Sequence, residues 1–103
     1  MKREELKQYI DKVIIKHLDL EDNYFSSKAN DGENILIQKE LMVDPLDNYE
    51  ILSTIETKYD VLLDETKVFN DTSTYGDFID GFWNEIQRKK LSKRLKSNFE
   101  NTI

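Results

Sequence analysis

The sequence contains no cysteine, one histidine, one proline and three glycines. Without cysteine there is no disulfide framework, no thiolate metal site and no thiol nucleophile. One imidazole, at His17, cannot build a histidine cluster for a metal. The scarcity of glycine and proline favours helices joined by polar loops. No stretch approaches the roughly 20 apolar residues needed to span a bilayer. The opening "MKREELKQYIDK" also lacks the apolar run of a signal peptide. There is no glycine-rich phosphate loop, no internal repeat and no low-complexity tract, and the acids do not show EF-hand spacing. The expectation is a cytoplasmic protein that is not an enzyme and has neither a metal site nor a cofactor.

Charge is abundant and unevenly placed. The chain of 103 residues suits one domain with a modest core, and 35% of it is charged. From Arg88 onward six Lys and Arg face one acid, Glu100, a balance of +5; the net charge of −6 therefore leaves −11 on residues 1–87. Composition divides the chain into an acidic body, 1–87, and a basic tail, 88–103. An acidic body suits docking on a basic partner and argues against nucleic acid. The tail reads as a solvated helical end, or as an arm for weak self-association with the body of a second copy; otherwise the chain is a monomer.

Periodicity predicts an all-α fold. Leu6, Ile10, Val13, Ile14 and His17/Leu18 recur at helical spacing, giving a helix over about 3–18. His17 lies on or beside that stripe, where a packing or helix-end role suits it better than ligation or catalysis. Residues 19–34, rich in Asn, Asp, Ser and Gly, predict a long loop pinned by Tyr24 and Phe25. "ILIQKELMV" fits both a helical turn and an extended piece. Asp44-Pro45 is a strong start signal. The carboxylate caps orphan N–H groups, and proline at the first helical position already has a helical φ. A helix over 44–59 follows, with Leu52, Ile55 and Tyr59 on one face and Leu46, Tyr49 and Ile51 flanking. A brief helix fits near 65–69. Ser73 or Thr74, with Asp77 at capping-box distance from Thr74, opens a last helix whose apolar face is Tyr75, Phe78, Ile79, Phe82, Trp83 and Ile86. Leu91, Leu95 and Phe99 continue it, so the basic tail extends this helix. The expected core is Leu6, Ile10, Val13, Ile14, Leu52, Ile55, Tyr59, Phe78, Ile79 and Phe82.

The order of parts, with "KELMVDPLDNYEILSTIETKYDVLLDE" and "STYGDFIDGFW" at its centre, resembles an acyl carrier protein over roughly residues 4–86. Asp44, Leu46 and Asp47 match the family's Asp-Ser-Leu-Asp motif, and Glu50, Ile51, Ile55, Glu56 and Tyr59 match the rhythm of the helix it opens. The resemblance implies a small acyl-carrier-like helical bundle, with three main helices and a short one before the last. It also implies an acidic helix that docks on basic patches of partner enzymes. Asp44, Leu46, Asp47, Glu50 and Glu56 are the partner-binding residues so implied. The departure from the family falls on Pro45, which occupies the position of the serine that takes phosphopantetheine. Proline has no hydroxyl and cannot be modified, and neither Ser53, Ser26 nor Ser27 has the motif's neighbourhood.

These features predict a non-carrying, carrier-like interaction module that docks through its acidic helix. Two alternatives stand beside it. One is a genuine but atypical carrier in fatty acid, polyketide or peptide synthesis. The other is an unrelated small acidic helical protein of the immunity or antitoxin type. The first separates from the carrier reading by mass: after co-expression with a promiscuous phosphopantetheinyl transferase, the intact protein is expected at its unmodified mass. An increment of one phosphopantetheine group on any residue would overturn the non-carrying reading.

Overall fold

The protein is a small all-α bundle. The computed structural model describes residues 1–64, 70 and 72–101, the side chains of 94–101 excepted. Its helices are α1 (Arg3–Leu18), α2 (Ile37–Leu41), α3 (Pro45–Tyr59) and α4 (Tyr75–Asn101), with a 3₁₀ turn at Ala29–Gly32. Among the described residues no helix is long and apolar enough to cross a membrane. The brief helix expected near 65–69 lies outside the described residues.

The three long helices begin and end where local chemistry dictates. Glu4 and Glu5 sit in the first turn of α1 and Lys16 and His17 in its last, each matching the sign of the helix dipole at its end. Asp19 closes α1 in the left-handed region at φ 55°, a conformation that a short polar side chain tolerates. The Asp44 carboxylate caps α3 by accepting the Asp47 N–H at 2.8 Å, with Pro45 at the first helical position. α4 opens with a reciprocal capping box: Thr74 Oγ1 accepts the Asp77 N–H and the Asp77 carboxylate accepts the Thr74 N–H, both at 3.1 Å.

Helix α1 packs against both α3 and α4. Contacts give the directions. Tyr9 meets Tyr59 ring edge to face, and His17 meets Asp47, so α3 runs antiparallel to α1. Arg3 meets Asp80 and Asp11 meets Tyr75, so α4 also runs antiparallel to α1. The shared core holds Leu6, Ile10 and Ile14 from α1, Ile51, Leu52 and Ile55 from α3, and Tyr75, Phe78, Ile79, Phe82 and Ile86 from α4. Val13 and Tyr59, expected inside, pack only at its margin. Ile51 takes an interior place instead, because the seam α3 presents to the bundle runs through 51, 52 and 55.

The long loop is held by aromatic anchors. Phe25 is fully buried and stacks on Tyr75 at 4.3 Å between ring centroids. Tyr24 is half-buried and lies under the Lys28 ammonium. Gly32 makes the approach possible: its φ is +80°, and a Cβ there would sit 2.8 Å from Phe25 Cδ1. The ambiguous segment 35–43 is extended first and helical after. Leu36 forms an antiparallel bridge with Thr74; the Tyr75 N–H donates to the Ile35 carbonyl at 2.8 Å and the Ile37 N–H to the Ser73 carbonyl at 3.2 Å. α2 follows directly.

Polar groups tie these layers together. Arg3 reaches Glu33 in the loop at 2.6 Å and Asp80 on α4 at 2.8 Å. The bonded guanidinium holds the Glu33 carboxyl below its ordinary value. Lys7 is buried on α1, where its ammonium pairs with Asp11 at 2.9 Å and lies over the rings of Phe25 and Tyr75. The Tyr75 hydroxyl donates to the same Asp11 carboxylate at 2.5 Å. Burial, with the Asp11 charge beside it, pushes the Tyr75 phenol well above its ordinary value.

α4 continues without a break past Arg88 to Asn101. Among the described side chains its last buried one is Ile86, and Leu91 is exposed although it continues the apolar spacing. Leu95 and Phe99, which the spacing also nominated, lie among the side chains not described. Lys89 of the basic tail serves the bundle itself. Lys89 donates to the Asp60 carbonyl at 2.8 Å and to its carboxylate at 2.7 Å, closing the C-terminus of α3. Arg88 pairs with Glu85 one turn back on its own helix.

Tyr75→Phe keeps the ring and its stacking but removes the donor to a charged acceptor. The expected loss is about 1.5–3 kcal/mol in urea unfolding at neutral pH. A loss within measurement error would show that Lys7 alone satisfies Asp11.

Candidate docking site at the start of α3

The candidate residues sit where α2, a left-handed turn and the first two turns of α3 meet. Met42 stands at the turn with φ 48°, and Val43 behind it is buried in the core. This fixes the entry of the chain into α3 and leaves the Met42 side chain 84% exposed. Leu46 and Tyr49 follow at i, i+3 spacing on α3 and are each 64% exposed. Three large apolar side chains, in the turn before α3 and in its first two turns, are therefore exposed.

Acids stand among them. Asp44 is exposed, and one of its oxygens is used by the cap. Asp47 and Glu50 point toward α1, where His17 Nε2 lies 3.0 Å from Asp47 Oδ1 and 3.0 Å from Glu50 Oε2. Of the residues nominated from sequence, Asp44, Leu46, Asp47 and Glu50 are thus brought together. Glu56 is not among them. It lies two turns further along α3, half-buried, and accepts the Leu63 N–H at 2.8 Å, so it holds the chain leaving the helix. Pro45 is exposed at the first helical position and presents only ring carbons to solvent.

Two features escaped the sequence reading. Met42 gave no signal, because its exposure comes from a left-handed turn that sequence spacing does not register. For His17 the sequence indicates a packing or helix-end role, and it does stand in the last turn of α1, but its neighbours Asp47 and Glu50 depend on the antiparallel pairing of α1 with α3. The one available signal was the pair Asp47 and Glu50, three residues apart and so on one face of a helix.

An open groove of about 580 Å³ runs beside His17 between α1 and α3, lined by Tyr9, Lys12, Val13, Lys16, His17 and Thr54. A wider one of about 760 Å³ lies at the far end of α3, beside Ser53, Glu56 and Asp60. Its acids are already engaged, Glu56 by Leu63 and Asp60 by Lys89.

No family model, no curated protein and no solved structure matches this chain. The likeness to acyl carrier proteins rests on the quoted motifs and their order alone.

The exposed residues are expected to be dispensable for folding. Leu46→Ala and Tyr49→Ala should change stability by no more than about 0.5 kcal/mol. Ile55→Ala, on the buried face of the same helix, should cost about 2–5 kcal/mol. Equal losses at all three positions in denaturant melts would place Leu46 and Tyr49 in the core rather than on a free surface.

Proposed function

We propose that this protein is a carrier-like interaction module that carries no acyl group and docks on a basic partner surface through the start of α3. The observation that supports it best is the patch of Met42, Leu46 and Tyr49, exposed together and flanked by Asp44, Asp47 and Glu50. Apolar side chains at the centre of an interface supply binding energy as they are desolvated, and the charges around them set encounter rate and register. The net charge of −11 over residues 1–87 adds a long-range attraction for a basic surface. Pro45 supports the non-carrying part, because a favourable first-turn residue stands where the carrier motif needs a hydroxyl.

The test uses a partner captured from the native host and then purified, with association followed in buffer containing a metal chelator. Leu46→Ala and Tyr49→Ala should weaken binding mainly through faster dissociation. Glu50→Lys should slow association, and added salt should narrow its gap to the parent protein, because the Debye length is only about 8 Å at physiological ionic strength. Deletion of residues 91–103, which spares the tie of Lys89 to Asp60, should leave this binding intact. If that deletion abolishes binding while the α3 substitutions leave it unchanged, the tail is the docking element and the proposal is wrong.

A further inference from the structure

We propose that His17, Asp47 and Glu50 form a binding site for a divalent transition-metal ion. The site goes beyond docking and does not depend on it.

The three groups come from two helices and converge on one point. His17 stands in the last turn of α1, and Asp47 and Glu50 stand three residues apart on α3. The imidazole Nε2 is 3.0 Å from one oxygen of each carboxylate, and the three ligand atoms all lie within 4.8 Å of one another. An ion pair explains only part of this arrangement. A neutral imidazole has at most one proton on Nε2 and can direct it at one acceptor. The contact with Asp47 has hydrogen-bond geometry, while Glu50 stands at the same distance as a second carboxylate on the same nitrogen. For a dication with ligand bonds of about 2.0–2.2 Å, neighbouring ligand atoms at right angles are separated by roughly 3 Å. One spacing of 3.0 Å is that of a hydrogen bond, but two carboxylates at this distance from the same nitrogen are also spaced as neighbouring ligands of one ion would be, and adjustment of the exposed Glu50 side chain would bring the three atoms around it.

The donor set indicates the class of ion. One imidazole nitrogen with two carboxylate oxygens suits zinc and its transition-metal neighbours, whereas calcium and magnesium favour all-oxygen shells. Two carboxylates balance the double positive charge. The C-terminal end of α1 adds a favourable partial negative charge, which counters the positive end of α3. The helices hold the ligands in place: Asp47 N–H is fixed by the Asp44 cap, and the turn of α1 that precedes His17 is anchored by Ile14 in the core. Glu50 is 48% exposed and His17 borders the open groove, so water can complete the shell. Binding at Nε2 requires the tautomer with its proton on Nδ1: starting from the neutral Nε2–H form, Nε2 gives its proton to solvent, Nδ1 takes one up, and the metal replaces the bond to Asp47 with no net change in bound protons.

The sequence provides an unusually clean reporter, because His17 is its only histidine. Zinc chloride is titrated into the purified full chain, without any partner, by calorimetry and by NMR of the imidazole resonances. One zinc per chain is expected, with movement or exchange broadening of the His17 signals and a rise in Tm. His17→Gln, Asp47→Asn and Glu50→Gln should each weaken binding by roughly tenfold or more, at least the loss seen when residues supporting a metal ligand are removed. Glu21→Gln, an exposed acid on another part of the surface, should leave it unchanged. Stoichiometric binding that survives His17→Gln would overturn the proposal, as would zinc-insensitive imidazole signals. The imidazole readout is made on the parent protein, so it decides the question even if a variant fails to fold. Neither outcome bears on docking, which is measured with metal chelated.

Discussion

The fold depends on one side chain, Tyr75. Its hydroxyl bonds Asp11 on α1, its ring stacks on Phe25 from the long loop, and its N–H bonds the Ile35 carbonyl before α2. It is also the first residue of α4. One position thus joins four parts of the chain that local propensity would leave independent. A buried phenol and a carboxylate are costly to desolvate unless each is satisfied. Here the half-buried Asp11 accepts from both Tyr75 and the buried Lys7, so the three polar groups satisfy one another at the edge of the apolar core. The same mutual dependence makes the arrangement specific, because displacing any one strand of the network strands the others.

Outside this centre, the helix ends are tied by charge. Arg3 fastens the start of α1 to the loop and to α4, and Lys89 fastens the end of α3 to α4. A hydrogen bond, rather than charge, links His17 at the end of α1 to Asp47 at the start of α3. Exposed ion pairs contribute little stability individually. Their role here is better seen in register: each sets how far one helix slides along its neighbour, a variable that smooth apolar faces determine poorly. The apolar core supplies the driving force, and these contacts select one packing among similar ones.

What sequence could reveal follows from that division. Asp44-Pro45 and the Thr74–Asp77 box signal helix starts through interactions three residues long, so α3 and α4 were legible almost to the residue. Leu6, Ile10 and Ile14, and Phe78, Ile79 and Phe82, were legible as core because helical periodicity is local as well. The bridge of Leu36 to Thr74 was not, since it joins segments far apart in the chain and the run containing Leu36 fits a helical turn as well as an extended piece. Lys7 was not either: a lysine enters a core only where a carboxylate and aromatic faces await it, and Asp11, Phe25 and Tyr75 meet only in the folded chain. Leu91 was misleading in the opposite sense. Its spacing continues the buried stripe of α4, but the bundle beneath that stripe ends near Ile86. In the candidate site the acids were legible and their relation to His17 was not, for the same reason.

That relation changes what the start of α3 means. A carboxylate near a helix N-terminus ordinarily has a sufficient explanation in the dipole and in capping. Asp44 fills that role, since its oxygen is the one that accepts the orphan N–H. The carboxylate of Asp47 is turned instead toward His17, and Glu50, one turn further on, is turned toward it as well. Asp47 stands in the first turn, where the dipole favours an acid, but Glu50 lies beyond that turn. Pro45, by contrast, is well suited to beginning a helix and unable to bear a prosthetic group. The chain therefore combines a start that local helix chemistry explains with one acid, Glu50, and three exposed apolar side chains that it does not. Those unexplained groups lie within a few residues of one another, and that coincidence directs both the docking proposal and the metal proposal to this end of the molecule rather than to the wider groove at the other.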